Sequence, residues 1–210
     1  MELVLYAGLS CWHLYSCIRN QQKLRKISKI LLLPALAFWY WRSGGTILFV
    51  YLALLFGWLG DIVLTKPQEY REKVIGSSVF AVGHVFYLLS LLKMKAFDGF
   101  NFLWIVLIVL GICIGVIIYN KNKEPIIEKM RISCLLYFML LGGMLGLSVA
   151  AALSGDGKGI IRALGYACFL MSDAMLVTQW FTVGDPHPKS DFKVMLTYVL
   201  AQLLIVWSFR

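Results

Sequence analysis

Charge is what this sequence has least of: Asp, Glu, Lys and Arg supply 15% of its 210 residues, against 60% hydrophobic, with a mean hydropathy of +0.77. A soluble globular domain carries about a quarter of its residues charged, so that class is excluded. Strict alternation of apolar and polar residues is missing too, which argues against a transmembrane β-barrel. Neither H-E-x-x-H nor G-x-S-x-G occurs, and His13, His84 and His187 have no ligand spacing. The five cysteines, Cys11, Cys17, Cys113, Cys134 and Cys168, are odd in number, lie in apolar segments and form no CxxC. They read as reduced, packed thiols. The stretch "SGDGKG", 154–159, departs from G-x-x-x-x-G-K-[ST] and precedes an apolar run, so it reads as a turn. No metal and no nucleotide cofactor is expected.

What the chain does have is long apolar runs. About 17 to 25 such residues cross a hydrocarbon core of roughly 30 Å as a helix. Breaks at charge and turn clusters give eight spans, near 3–18, 28–42, 46–65, 74–92, 101–119, 131–153, 159–182 and 191–209. The expected fold is all-α: a polytopic membrane helix bundle of about eight transmembrane helices, forming one integral membrane domain over 1–210. The opening "MELVLYAGLSCWHLYSC" lacks a basic n-region and an A-x-A-like cleavage site, so it is expected to be a retained first span. Pro67, Pro125, Pro186 and Pro188 fall in the expected connections; Pro34 alone sits inside a span.

A net charge of +9 would suggest nucleic acid in a soluble protein. Here the basic residues gather in the connections after spans 1, 3, 5 and 7, led by Arg19, Lys23, Arg25, Lys26 and Lys29. That is a topology signal, and by the positive-inside rule both termini face away from the cytoplasm.

Two stretches interrupt the apolar pattern. "FGWLGDIVLTK", 56–66, carries Asp61, and "CFLMSDAMLVTQWF", 168–181, carries Asp173. An ionisable side chain in the bilayer costs at least about 2.5 to 3.5 kcal/mol, so by default it faces a partner, a cavity or a functional site. The bland alternative for Asp61 is solvation near the surface beside Lys66. Asp173 is flanked one turn away by Phe169, Leu170, Leu176 and Val177, which makes that alternative weaker. The two aspartates share a [GS]-D-x-x-L pattern, "GDIVL" and "SDAML", in spans four apart, which fits two parallel four-helix pseudo-repeats.

Other polar residues follow the same logic. His84 shares a helical face with Tyr87, and Tyr198 shares one with Gln202; together they form a candidate polar lining around the carboxylates, against plain interhelical hydrogen bonding. Lys29 and Arg71 lie near the expected cytoplasmic mouth and are candidate phosphate contacts, against readings as a snorkelling lysine and an ordinary topology charge. Gly57, Gly60, Gly142, Gly143 and Gly146 suggest close helix approach. Intramembrane aspartyl proteases also use two membrane aspartates, but their G-x-G-D signature is not "GWLGD".

The order "GDIVL", "AVGHVFYLLSLL", "GYACFLMSDAML", "TYVLAQLLI", preceded by "LRKISKILLLPAL", resembles the YhhN family of membrane proteins, whose eukaryotic members include transmembrane lysoplasmalogenases. The resemblance covers most of the chain. It implies an eight-helix membrane hydrolase that cleaves the vinyl ether of lysoplasmalogens to a fatty aldehyde and glycerophospho-ethanolamine or glycerophospho-choline. It also implies that the family's two functional aspartates correspond to Asp61 and Asp173, and that the partners are a lysophospholipid substrate and membrane lipids. A bacterial member would sit in the cell membrane. The chemistry suits two carboxyls: one protonates the terminal alkene carbon, and the other stabilises the oxocarbenium ion and activates water, as paired carboxylates do in glycosidases. Asp173, in the more apolar setting, is the favoured acid and Asp61 the favoured base.

Two other classes compete. A proton- or ion-coupled transporter of lipids or small molecules would use the same aspartates during alternating access. It predicts broken helices at matching places, for which only Pro34 and the Gly142-Gly143 pair offer themselves. A membrane scaffold would use the aspartates only to pair helices.

Overall fold

A computed structural model, described over residues 2–65, 70–93, 102–123, 128–181 and 188–210, is all helical among those residues. Eight α-helices follow in order: α1 (Glu2–Ile18), α2 (Gln22–Arg42), α3 (Leu48–Leu64), α4 (Tyr70–Lys93), α5 (Phe102–Asn122), α6 (Arg131–Leu153), α7 (Gly159–Phe181) and α8 (Pro188–Ser208); a 3-10 turn, Glu128–Met130, leads into α6. Of the expected prolines, Pro67, Pro125 and Pro186 lie outside the described residues, while Pro188 opens α8, where its missing N–H costs nothing.

Five of these helices, α4 to α8, are long and apolar enough to cross a membrane, and α3 is apolar but has only 17 residues. The chain is a multi-pass membrane protein. Several helices outrun the spans read from hydropathy: α2 begins at Gln22, α4 at Tyr70 and α8 at Pro188, and α5 continues to Asn122. The added turns carry Lys23, Arg25, Lys26, Arg71, Lys73, Lys121 and Lys189. Hydropathy stops where charge begins, but the helical backbone bonds continue past that point. All these turns lie at the same end of the bundle, because they begin α2, α4 and α8 and finish α5.

Neighbours in sequence pack as pairs, α1 with α2, α3 with α4, α5 with α6 and α7 with α8. Contacts between α2 and α3 and between α6 and α7 join the pairs, and α2 meets α8 as α4 meets α6. Glycine sets the tightest of these contacts. A Cβ on Gly142 would stand 2.1 Å from the Gly111 carbonyl oxygen, and one on Gly146 would stand 2.1 Å from that of Leu107, so α5 and α6 touch backbone to backbone. Gly143 is different: a Cβ there meets only Ile112 Cγ1 at 3.7 Å, and close approach does not explain it.

Helix α2 runs unbroken through Pro34. The proline removes the donor that the Ile30 carbonyl, four residues earlier, would normally receive. The Trp58 indole N–H of α3 replaces it, donating to that carbonyl oxygen at 2.9 Å. A side chain on a neighbouring helix thus satisfies a backbone group that lipid cannot.

The end of the bundle opposite the basic turns is tied by polar contacts. Fully buried Arg162 donates to Asp156 at 2.9 Å and to the Ser208 hydroxyl at 3.1 Å, and its guanidinium lies 4.9 Å from the Phe209 ring centre. Tyr40 donates to the Phe209 carbonyl at 3.3 Å, and Arg210 to that of Ser43 at 3.2 Å.

Candidate active site

Asp61 and Asp173 line one cavity of about 650 Å³, a volume that includes space open to the outside. Its walls are mostly apolar. The lining comes from one end of the bundle: Lys29 of α2, Leu64 in the last turn of α3, Ser77 of α4, Cys134 in the first turn of α6, Trp180 at the end of α7, and Val194 in the second turn of α8. This is the end at which the basic turns project.

Asp61 is 1% exposed, although it stands only three residues before the end of α3. The sequence makes room for it. Gly60 has no side chain, and a Cβ there would lie 2.7 Å from the Phe80 ring, so that ring fits against α3. Phe80 in turn meets Tyr198 edge-on at 6.2 Å and Phe169 at 6.3 Å, forming an aromatic wall between the two aspartates' helices. The solvated reading of Asp61 does not hold.

The two carboxylates are served differently. The Tyr198 hydroxyl donates to Asp61 Oδ2 at 2.6 Å, and Lys29 Nζ lies 3.2 Å from Asp61 Oδ1. The lysine contact is an ion pair without hydrogen-bond alignment, since Oδ1 accepts no aligned donor among the described residues. Asp173, 8% exposed, accepts a hydrogen bond from the Tyr137 hydroxyl at 2.5 Å and has no ion pair among the described residues. One carboxyl therefore has a cation beside it and the other only a phenol.

The remaining sequence candidates separate into three groups. Tyr198 and Lys29 line the cavity. Tyr87 and Gln202 do not; they are buried behind its wall, with the Tyr87 hydroxyl donating to Gln202 Oε1 at 3.2 Å. His84 is also behind the wall, in an aromatic box whose ring centres lie 4.6 Å away for Phe169, 5.8 Å for Tyr166 and 6.1 Å for Tyr87 and Tyr137. Arg71 is exposed on the first turn of α4 and takes no part in the lining. Tyr137 was missed from sequence. The signal available was its phenol within the apolar run "CLLYFMLL", a polar group that needs a partner wherever it is buried. Among the described residues, no group of three or more His, Cys, Asp or Glu side chains is placed to hold a metal ion.

Chemically, the arrangement sets a carboxylate ion-paired to Lys29 and a carboxyl with no ion pair among the described residues around one apolar chamber. Such a pair divides into a base and an acid more readily than two carboxyls in matching environments.

The YhhN family model matches residues 24–209. A human protein, Lysoplasmalogenase TMEM86B, is 25% identical over 166 residues, which cover 79% of this chain and 65% of the relative. The chain thus spans a little under two thirds of the length of that curated relative. No solved structure matches. With nearly all of its length inside the family model, this chain belongs to the YhhN family.

Proposed function

We propose that this protein is a membrane-embedded hydrolase that cleaves the vinyl ether bond of lysoplasmalogens, releasing a fatty aldehyde and a glycerophospho-ethanolamine or glycerophospho-choline. The observation that carries the reading is the unequal pair of carboxyls on one cavity, Asp61 ion-paired to Lys29 and Asp173 held by Tyr137 alone. Membership of the YhhN family and similarity to a protein named as a lysoplasmalogenase support it.

In this reading a single-chain lipid enters the cavity with its headgroup at the basic end. Asp173 gives its proton to the alkene carbon remote from the ether oxygen, and the resulting oxocarbenium ion is stabilised by ionised Asp61. Asp61 then takes a proton from the attacking water, and the hemiacetal collapses as its hydroxyl proton passes to the glycerol oxygen. Lys29 supplies Asp61 with a counter-charge in an apolar wall, and that wall suits the hydrocarbon part of a lipid.

All eight helices form one membrane domain with the basic end cytoplasmic and both chain ends on the opposite side. The matched pairings of α1–α4 and α5–α8, including α2 on α8 and α6 on α4, support two four-helix halves that bring the aspartates together. A transporter gains nothing comparable, since α2 and α6 run unbroken through Pro34 and Gly142-Gly143.

The test is product identity. Purified protein incubated with a lysoplasmalogen in D₂O is expected to release a fatty aldehyde with one deuterium on the carbon next to the carbonyl, placed there by the protonation step. Absence of aldehyde across ethanolamine and choline lysoplasmalogens would overturn the proposal.

A further inference from the structure

Between the two carboxyls stand four buried tyrosine hydroxyls, two in the cavity lining and two behind it. At one end the Tyr198 hydroxyl holds Asp61, and at the other the Tyr137 hydroxyl holds Asp173. Between them lie Tyr87, bonded to Gln202, and Tyr166. His84 stands among three of these tyrosines, its ring centre 6.1 Å from that of Tyr87, 5.8 Å from that of Tyr166 and 6.1 Å from that of Tyr137, and Gln202 lies one helical turn after Tyr198 on α8.

The middle of this group contains polar atoms with no partner among the described residues. The Tyr166 hydroxyl and both ring nitrogens of His84 are buried and unpaired, with the two ring centres 5.8 Å apart. Neither residue is more than 2% exposed. Leaving such groups unsatisfied carries their full desolvation cost. Internal water satisfies buried polar groups of this kind when two or more polar partners surround it.

We infer that His84 and Tyr166 bind internal water that completes a hydrogen-bonded chain, Asp61–Tyr198–Tyr87/Gln202–water–Tyr166/His84–Tyr137–Asp173, and that this chain returns a proton from Asp61 to Asp173. The need for it follows from the proposed hydrolysis, on which the inference rests. Each turnover takes one proton from Asp173 to the alkene carbon and leaves one proton, taken from water, on Asp61. The hemiacetal's own proton leaves with the glycerol oxygen. The enzyme therefore ends with its two carboxyls in exchanged protonation states, while the aldehyde chain still occupies the cavity between them. Along the chain Asp61 gives up its proton to Tyr198, each hydroxyl and water passes one on and receives one while Gln202 and His84 only orient them, and Asp173 receives the hydroxyl proton of Tyr137. No atom is gained or lost, and no outside donor is required.

Tyr166 and His84 are thus relay and positioning residues: neither lines the cavity, and neither touches substrate. The discriminating variant is Tyr166→Phe, which removes one oxygen and keeps the ring. With enzyme in excess, its first turnover is expected at the wild-type rate, while steady-state kcat falls by about 10²-fold, the lower end of what a positioned proton-transfer group contributes. A first turnover slowed as much as the later ones, or no change in either, would overturn the relay.

An infrared measurement decides the connection without any turnover. The carbonyl stretch of protonated Asp173, assigned by its loss in Asp173→Asn, is expected to shift when Asp61→Asn is introduced, and to lose that response in a Tyr166→Phe background. A response that survives Tyr166→Phe would sink the relay. A wild type that releases no aldehyde would instead remove the hydrolase reading, leaving the infrared result to stand by itself.

Discussion

Lys29 of α2 sits 3.2 Å from Asp61 of α3, a lysine only 19% exposed at its side chain against a carboxylate exposed by 1%. The pair brings a cation and an anion from the basic end of the bundle into an apolar wall. Its energetic character follows from burial: removing one member strands the other, whereas removing both charges together is far less costly.

Lys29→Gln is therefore expected to destabilise the protein by roughly 2–4 kcal/mol. Adding Asp61→Asn to it should restore most of that loss, although activity stays absent. Thermal unfolding of the two single variants and the double variant gives the coupling directly. Additive losses would mean that the pair makes no net contribution.

The two tyrosines that hold the carboxyls invite a matched comparison. A hydrogen bond to a charged group contributes about 1.5–3 kcal/mol, so Tyr198→Phe and Tyr137→Phe are each expected to lower kcat by about 10- to 100-fold. They differ in what they disturb. Tyr198→Phe leaves Lys29 beside Asp61, whereas Tyr137→Phe removes the one hydrogen-bond donor that holds Asp173 among the described residues, so the larger loss is expected there. Steady-state aldehyde release by the two variants checks the order.

Helix packing makes a sharper forecast at two adjacent glycines. A Cβ on Gly142 meets the Gly111 carbonyl at 2.1 Å, and backbone there has no room to retreat, while Gly143 meets only a flexible isoleucine carbon at 3.7 Å. Gly142→Ala is expected to cost about 1–3 kcal/mol as α5 is pushed off α6. Gly143→Ala should stay within about 0.5 kcal/mol of wild type. Detergent-solubilised unfolding of both variants gives the comparison.

Trp58 offers a test of the proline compensation. Trp58→Phe keeps an aromatic ring but leaves the Ile30 carbonyl without its indole donor, an expected loss of about 1–3 kcal/mol. Pairing it with Pro34→Ala, which returns the backbone N–H, should recover much of the stability. No recovery would mean that the tryptophan acts through packing.

The helix order and the two aspartates were legible in the sequence because each rests on a local pattern: apolar length for the helices, a carboxylate in an apolar run for the site. The helix ends were less so, since α2 and α4 continue through Lys23, Arg25 and Arg71 that hydropathy reads as connection. Partnership was the least legible. Periodicity places His84 and Tyr87 on one face of α4, but not which helix that face meets; His84 there meets Tyr137 of the cavity lining and Tyr166 behind it. Position near the mouth makes Lys29 a candidate phosphate contact or a snorkelling lysine; its pairing with Asp61 depends on the docking of α2 on α3, which no single helix encodes. Arg71 shows the same limit, near the right end of the bundle but exposed and off the lining.

The central claim is that Asp61 and Asp173 act together on one bound vinyl ether. The measurement that tests it most directly is aldehyde release from a lysoplasmalogen by the purified wild type, Asp61→Asn and Asp173→Asn, each verified as folded. The account predicts release by the wild type and a fall of at least about 10²-fold in both variants. Wild-type rates in either variant would contradict it.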